Sequence, residues 1–359
     1  MAERLDERAP DQRDRLEDLG EFGLIARLTR GLPGRVDVVL PAGDDAALLN
    51  LGGGEDVLLA ATCDAQVEGR HFMRGVATPE EIGWKALAVN LSDIAAMGGE
   101  PLWALVSLLL SAGESVTALD GVYAGLRALA GRYGVAIVGG NIAGTSGPLT
   151  IDITLLGRVA RPRALTRAGG RPSDALLVTG TLGAAAAGVL LATGTTSHGA
   201  ARAGIAPELA KRAHDAMAAP EPRVAEGRAL AASGVVTAML DVSDGFAADL
   251  GHLCAASGVG ALVEEAALPI APAAVVVAPV YGRAPLDLAL YGGEDYELLL
   301  SVRPEGVRAA VEAVRGAGGS ARVIGRLTAD AGRIESEAPS GERRQIEPRG
   351  WDHLRYLGV

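Results

Sequence analysis

Carboxylates at the ends of apolar segments are the residues of this chain whose types and spacing can do chemistry. Five short segments share the pattern: Gly43-Asp44-Asp45-Ala46, Thr62-Cys63-Asp64, Asn90-Leu91-Ser92-Asp93, Asp241-Val242-Ser243-Asp244-Gly245 and Gly292-Gly293-Glu294-Asp295-Tyr296-Glu297. In each, an acid lies at the edge of a strand or helix beside glycine or small residues. Singly, each has a bland explanation: Asp next to Gly suits a turn, and Asp244 suits the cap of a following helix. Together, in a chain whose only lysines are Lys85 and Lys211, they describe a divalent-metal site. Mg²⁺ takes hard oxygen ligands, usually a few carboxylates, with waters and substrate phosphates completing the octahedron. Phosphoryl transfer needs such ions, because the protein's task there is to position groups and spread charge.

The element that must position the central acid is Thr78–Pro101. Thr78 is a good N-cap, Pro79 suits the first helical position, and Glu81 completes a capping box. Gly98-Gly99 supplies a left-handed stop, with Pro101 beyond it. The residues between are mostly apolar or small, so most faces of this helix must be packed. Asn90 and Asp93 nevertheless share one side, in line with Ala86. A carboxylate there is costly unless it is paired, hydrogen-bonded or bound to a metal.

At 359 residues the chain is long for one core, and two domains are expected. Scarce aromatics and abundant Ala and Gly favour close helix–sheet packing. The predicted class is α/β (α+β), two domains each with a mixed sheet and helices. Residues 1–18 read as a flexible charged extension. Residues 19–160 form the first domain, and the Gly-, Pro- and Arg-rich stretch 161–173 opens the second, 161–359. A short helix is predicted over Glu21–Arg30 and strands over Val36–Leu40, Val57–Thr62 and Leu102–Ser111. A buried strand, Val135–Val138, runs into Gly139-Gly140-Asn141, and Thr150–Leu156 alternates like a half-exposed strand.

The net charge of −11 argues against a nucleic-acid-binding surface. Cys63 and Cys254 are too few and too far apart for a disulfide framework or a zinc site. Residues 1–18 lack the apolar core of a signal peptide, and no apolar run is long and unbroken enough to span a bilayer. A soluble, cytoplasmic protein without membrane or nucleic-acid partners is expected. Neither a P-loop nor the protein-kinase loops occur. Gly180-Thr181-Leu182-Gly183 can approach a phosphate, though such a loop is more often a tight turn. If ATP binds here, carboxylate-held Mg²⁺ must therefore mediate much of the binding.

The same segments closely resemble the thiamine-monophosphate kinase family. The resemblance lies in Gly20-Glu21-Phe22, Gly43–Ala46, Val67–Phe72, Lys85–Gly98, Asp241–Gly245 and Gly292–Leu298, in order along the chain from about residue 20. It implies transfer of the ATP γ-phosphoryl to thiamine monophosphate, with Mg²⁺. It also implies a homodimer whose N-terminal-domain strands build a shared barrel, with the ligands in clefts near that interface. By the same resemblance, Asp45, Thr62, Asp64, Asp93, Asp241 and Asp244 are metal positions, and Asp44, Asp93 and Asp244 are the ones expected to carry catalysis. Arg167 and Ser243 fall at nucleotide positions, and Gly140, with Asn141, in the loop that covers the phosphates. His71, Glu294 and Trp351 fall where the family holds thiamine phosphate. Trp351 can stack on a cationic or aromatic ring, and Glu294 can pair with the cation or hydrogen-bond the aminopyrimidine.

Two positions depart from the family pattern. Asn141 stands where an Mg²⁺-binding Asp is usual, and Cys63 where a second Thr is usual; both put one metal site in question. Two alternatives remain open: another ATP-using enzyme of the aminoimidazole ribonucleotide synthetase-like superfamily, or a catalytically weak paralogue that binds nucleotide or thiamine phosphate. Selenophosphate synthetase lacks support because no reactive Cys stands in an N-terminal Gly-rich loop. The hydrogenase-maturation enzyme lacks it because the chain ends Leu357-Gly358-Val359 without a terminal Cys.

Overall fold

The computed structural model describes residues 16–30, 35–52, 56–194 and 204–352. They divide into two compact units, one within Met1–Arg35 and Trp351–Val359, the other within Val36–Gly350. The first contains α1 (Leu16–Thr29), which breaks at Gly20, where φ is +69°. The Asp352 carboxylate accepts from the Glu21 N–H at 3.3 Å. This helix starts earlier than the sequence suggests; residues 1–15 of the expected extension lie outside the described residues.

The larger unit holds two sheets. The first contains β1 (Val38–Leu40), β2 (Ala47–Leu49), β3 (Val57–Val67), β4 (Glu100–Leu110), β5 (Ala136–Gly144) and β6 (Thr150–Ala160), in the order β1-β2-β3-β6-β4-β5. All its pairings are antiparallel except β4 with β5. Helices α2 (Pro79–Ala96) and α3 (Val116–Tyr133) belong with it. The second contains β7 (Ala175–Thr179), β8 (Val236–Val242), β9 (Gly260–Glu264), β10 (Glu297–Val302), β11 (Ala321–Thr328), β12 (Ile334–Glu337) and β13 (Arg343–Gln345), ordered β13-β12-β9-β11-β7-β10-β8. Its helices are α4 (Ala184–Thr193), α5 (Pro207–Ala218), α6 (Val224–Ser233), α7 (Phe246–Ser257), α8 (Pro272–Val280), α9 (Pro285–Tyr291) and α10 (Val307–Gly316). The expected mixed α/β class is the class observed.

Two readings of local structure change: the strand expected to be buried over Val135–Val138 is largely exposed, at Ala136 and Val138, because it lies at the edge of the sheet, and the glycine run after it stays in that strand. Gly139-Gly140-Asn141 does not leave the sheet as a loop but continues β5 to Gly144, registered against Leu105, Val106 and Ser107 of β4. Pairing to the neighbouring strand supplies backbone hydrogen bonds that outweigh the weak strand propensity of glycine.

Helix α2 forms as its sequence dictates. The Thr78 hydroxyl accepts from the Glu81 N–H at 3.2 Å while the Glu81 carboxylate accepts from the Thr78 N–H at 2.7 Å. Gly98 ends it with φ +69°. Leu87, Leu91 and Ile94 are wholly buried and share one continuous core with Ile151, Ile153 and Leu155 of β6 and with Met239, Leu298 and Leu300 of the second sheet. Each such side chain contributes on the order of 1.5–3 kcal/mol. The helix is therefore packed between both sheets, as its apolar faces require.

Helices α2 and α3 meet backbone to backbone. A β-carbon at Gly83 would stand 1.9 Å from the Val122 carbonyl oxygen, and one at Gly125 1.8 Å from that of Glu80. Only glycine permits this approach. Gly131, on the same helix α3, has open space around it. Gly125→Ala should therefore cost about 1–3 kcal/mol through overpacking. Gly131→Ala should be neutral or stabilise by up to about 1 kcal/mol through helix propensity. Urea unfolding of the two variants checks this; equal effects would contradict the close contact.

Candidate active site

Three acids from three different elements converge. Asp45 lies in the turn between β1 and β2, Asp93 in the last turn of α2, and Asp241 near the end of β8. One carboxylate oxygen from each lies within 4.8 Å of the others. Asp45 and Asp241 are buried. The Thr62 hydroxyl donates to Asp93 Oδ2 at 2.5 Å, and the Ser92 hydroxyl to Asp241 Oδ2 at 2.6 Å. The Arg167 guanidinium donates to Asp45 Oδ1. Asp64 adjoins the group, since its charge acts on both Asp93 and Asp241.

One guanidinium does not balance these charges. Burial pushes the Asp45 carboxyl up to about 8 despite Arg167, with Asp241 and Asp44 adding to the rise. Burial raises Asp241 to about 6, against the Ser92 hydrogen bond and the Arg167 charge. Asp93 is held well above the ordinary carboxylate range by burial and then by Asp64, Asp241 and Asp45. Arg167, in turn, is held further up by Asp45 and Asp44, which outweigh its own burial. Both partners of this ion pair shift upward, with opposite meaning: burial and two neighbouring acids disfavour the charged form of Asp45, whereas the acids around Arg167 favour its charged form. Asp45 Oδ2 and Asn90 Oδ1 are buried without a hydrogen-bond donor. Crowded acids with an orphaned acceptor oxygen fit a bound divalent cation, which would neutralise what burial penalises.

Other acids of the same motifs hold the backbone instead. Asp44 accepts from the N–H groups of Asp45 and Arg167 at 3.0 and 3.1 Å. Asp295 accepts from the Gly183 N–H at 2.8 Å, so the Gly180–Gly183 turn at the start of α4 already has its anion. Glu297 takes a bidentate contact from Arg223 at 2.6 and 2.7 Å and a hydroxyl bond from Thr179 at 2.7 Å.

Sequence reasoning missed Asp249 and His252, on α7. Asp249 accepts from the N–H groups of Ser243 and Gly245, both at 3.1 Å, and so fixes the loop that carries Asp241 and Asp244. With Asp244 and His252 it forms a second group whose ligand atoms lie within 4.8 Å. Burial, with Arg167 adding, lowers His252 to about 4 and keeps its ring neutral. An acid in the first helical turn after Ser-Asp-Gly was the available signal.

The remaining predicted positions fall elsewhere. His71 and Glu294 are joined through Lys85: the lysine Nζ lies 2.8 Å from the His71 carbonyl oxygen and 2.6 Å from Glu294 Oε1. Ser243 sits in the loop fixed by Asp249, its carbonyl accepting from the Glu294 N–H at 2.6 Å. Gly140 and Asn141 are not brought to the acidic group within one chain. Strand β5 is three strand intervals from β3, roughly 14 Å. Asn141 is registered with Ser107, Ser107 with Asp152, and Asp152 with Ala65. These residues share the outer face of the sheet with Cys63, whose thiol donates to Asp152 Oδ1 at 3.1 Å. Strand alternation turns Thr62 and Asp64 to the opposite face. Both departures from the family pattern thus lie on one face, away from Asp45, Asp93 and Asp241. Trp351 belongs to the first unit and is partly exposed.

Known proteins resemble this chain in sequence and fold. The family models for AIR synthase related protein match in two parts, the N-terminal domain over residues 43–159 and the C-terminal domain over 171–335. Thiamine-monophosphate kinase of Escherichia coli (strain K12) is 39% identical over 339 residues, covering 93% of this chain and 98% of its own. The enzyme of Salmonella typhimurium (strain LT2) is 37% identical over 338 residues, with the same coverage. A solved structure described as AaThiL complexed with AMPPCP and TMP superposes with a TM-score of 0.79 at 32% identity, over 94% of this chain and 98% of that one. Relatives this similar along nearly their whole length, on the same fold, mean that the chain belongs to the thiamine-monophosphate kinase family.

Proposed function

We propose that this protein phosphorylates thiamine monophosphate with ATP, giving thiamine diphosphate and ADP by direct Mg²⁺-assisted transfer. The observation that carries the reading is the convergence of Asp45, Asp93 and Asp241 in a chain of this family, whose structural neighbour is described with an ATP analogue and TMP bound. Asp45, Asp64, Asp93, Asp241 and Thr62 would hold Mg²⁺, with Asp244 beside them. Bound Mg²⁺ supplies charge neutralisation to phosphate oxygens. The protein's own contribution is rigidity: Asp93 lies on α2 and Asp64 and Asp241 on strands packed against it, so these ligand oxygens are set before substrate arrives. The attacking substrate phosphate is already anionic near neutral pH, so no side chain has to act as a strong base. Arg167, fixed between Asp44 and Asp45, keeps a permanent positive charge at the site for the nucleotide phosphates.

We further propose residues 19–160 as the dimerisation and Mg-ATP domain and 161–359 as the half that completes the site, with the reaction in the cytoplasm. Exposed Trp103 (44%), Leu105 (41%), Leu109 and Val138 (59%) on β4 and β5 support a homodimer through the first sheet. Apolar side chains in such a row favour burial against a second copy. Gly140 and Asn141 would then approach the phosphates only from that interface. Because Cys63 and Asn141 lie on this outer face, neither removes a member of the central acidic group, and the weak-paralogue reading gains no support from them.

Removing one of the mutually repelling acids should separate stability from activity. Asp93→Asn is expected to raise the Tm of metal-free protein, to lower kcat by ~10³-fold or more, and to abolish the Tm increase that Mg²⁺ gives the wild type. Differential scanning calorimetry with a coupled ADP assay checks this. Near-wild-type turnover would remove the metal argument.

The pH dependence has a fixed sign. Asp45 and Asp241 have folded-state values raised above the unfolded ~3.9. The stability they contribute is present below that value and is lost as pH rises through about 6 and about 8. Metal-free protein should melt at lower temperature at pH 8 than at pH 5, and millimolar Mg²⁺ should flatten or reverse the trend. A rising Tm with pH in EDTA would contradict the crowded-acid description.

Trp351→Ala should raise KM for thiamine monophosphate by roughly fivefold, in line with ~0.5–1.5 kcal/mol for stacking on an aromatic ring, and leave KM for ATP within about twofold. Initial-rate measurements decide; equal effects on both would assign Trp351 to anchoring the chain end.

A further inference from the structure

Lys85 is one of only two lysines in the chain, and its side chain is 3% exposed. A buried ammonium is costly unless fully satisfied, so its surroundings are informative. It reaches the His71 carbonyl oxygen at 2.8 Å and Glu294 Oε1 at 2.6 Å. These two residues come from opposite halves of the larger unit, one just after β3 and the other just before β10. Both are independently held. The His71 ring accepts from the Val67 N–H through Nδ1 at 2.8 Å, which leaves the proton of the neutral ring on Nε2. Glu294 is locked at φ +58°, a left-handed conformation for a non-glycine residue. Its N–H donates to the Ser243 carbonyl at 2.6 Å.

We propose that Lys85 is a positioning residue of the thiamine-phosphate pocket, an inference that rests on the function proposed above. It ties the His71 and Glu294 segments together and occupies one carboxylate oxygen of Glu294. The charge of that carboxylate is therefore already balanced by the protein. Glu294 meets the ligand through Oε2, as a hydrogen-bond acceptor for the amino group of the pyrimidine, and not as the counter-charge of the thiazolium ring. Specificity then falls on the amino group. A site built to accept a substrate N–H discriminates strongly against an analogue lacking it, because its own polar atom is left unpaired. An uncharged ring of the same shape loses little.

The test compares three ligands on the full wild-type chain by calorimetry and initial rates. They are thiamine monophosphate, oxythiamine monophosphate (a carbonyl in place of the amino group) and deazathiamine monophosphate (an uncharged ring). Oxythiamine monophosphate should bind at least about tenfold more weakly, and deazathiamine monophosphate within about threefold of the natural ligand. Lys85→Met should raise KM for thiamine monophosphate about tenfold with KM for ATP within about twofold, and Lys85→Arg should recover part of the loss. A lysine with only a structural role would move both KM values, or neither. Stronger discrimination against the uncharged ring than against oxythiamine, or an unchanged KM in a folded Lys85→Met protein, would overturn the proposal alone. Should Lys85→Met fail to fold, the wild-type ligand comparison decides without it. Absence of binding by thiamine monophosphate itself would overturn the functional reading, and this proposal with it.

Discussion

Repulsion among buried carboxylates is the constraint on which the rest of this structure depends. Asp45, Asp93 and Asp241 stand close enough to share a cation, and among the described residues Arg167 is the cation that offsets them. Such an arrangement opposes folding, so the scaffold has to supply the difference from elsewhere. It does so by sinking α2 into a core continuous with both sheets. The apolar burial that anchors α2 also draws Asp93 partly out of water. Stability and chemistry are thus coupled through one helix.

The acids divide by what they accept from. Asp44, Asp249 and Asp295 take backbone N–H groups, and Glu297 takes Arg223; these hold loops and helix ends in place. Asp93 and Asp241 take hydroxyl donors, from Thr62 and Ser92. A hydroxyl rotates and can turn its lone pair toward a cation, whereas an N–H cannot. The hydroxyl-bonded acids therefore keep more of their capacity for a ligand, while the N–H-bonded ones use part of theirs to fix the backbone.

Much of this was legible in the residues, and the failures have physical causes. Helix α2 was readable to its caps, because Thr78, Glu81 and Gly98 act locally. The five acidic segments were readable as a group, and the family resemblance singled out those that converge. In Glu294-Asp295-Tyr296-Glu297 the division of labour was not readable. Left-handed φ values at Glu294 and Tyr296 break strand alternation, so spacing no longer reports which way each acid points. The extension of β5 through Gly139-Gly140-Asn141 was hidden because its stability comes from β4, far away in sequence. Helices α8 and α9 escaped notice because α8 is a Val- and Ala-rich run with internal Pro279 that carries no helical period, and α9 is only seven residues long. Strands β12 and β13, of four and three residues at one end of the second sheet, are too short to show a clear alternation.

The contact between α2 and α3 has a consequence for motion. Interfaces made of side chains absorb small displacements by changing rotamers, but at Gly83 and Gly125 carbonyl oxygens rest directly on the neighbouring backbone. No lubricating layer exists there. The two helices must translate as one strut or not at all, so conformational adjustment during ligand capture is left to the loops carrying Asp45, Asp244 and Glu294. Amide protons in the middle of α2 then have no shallow route to solvent, and their exchange reports the opening of the whole unit.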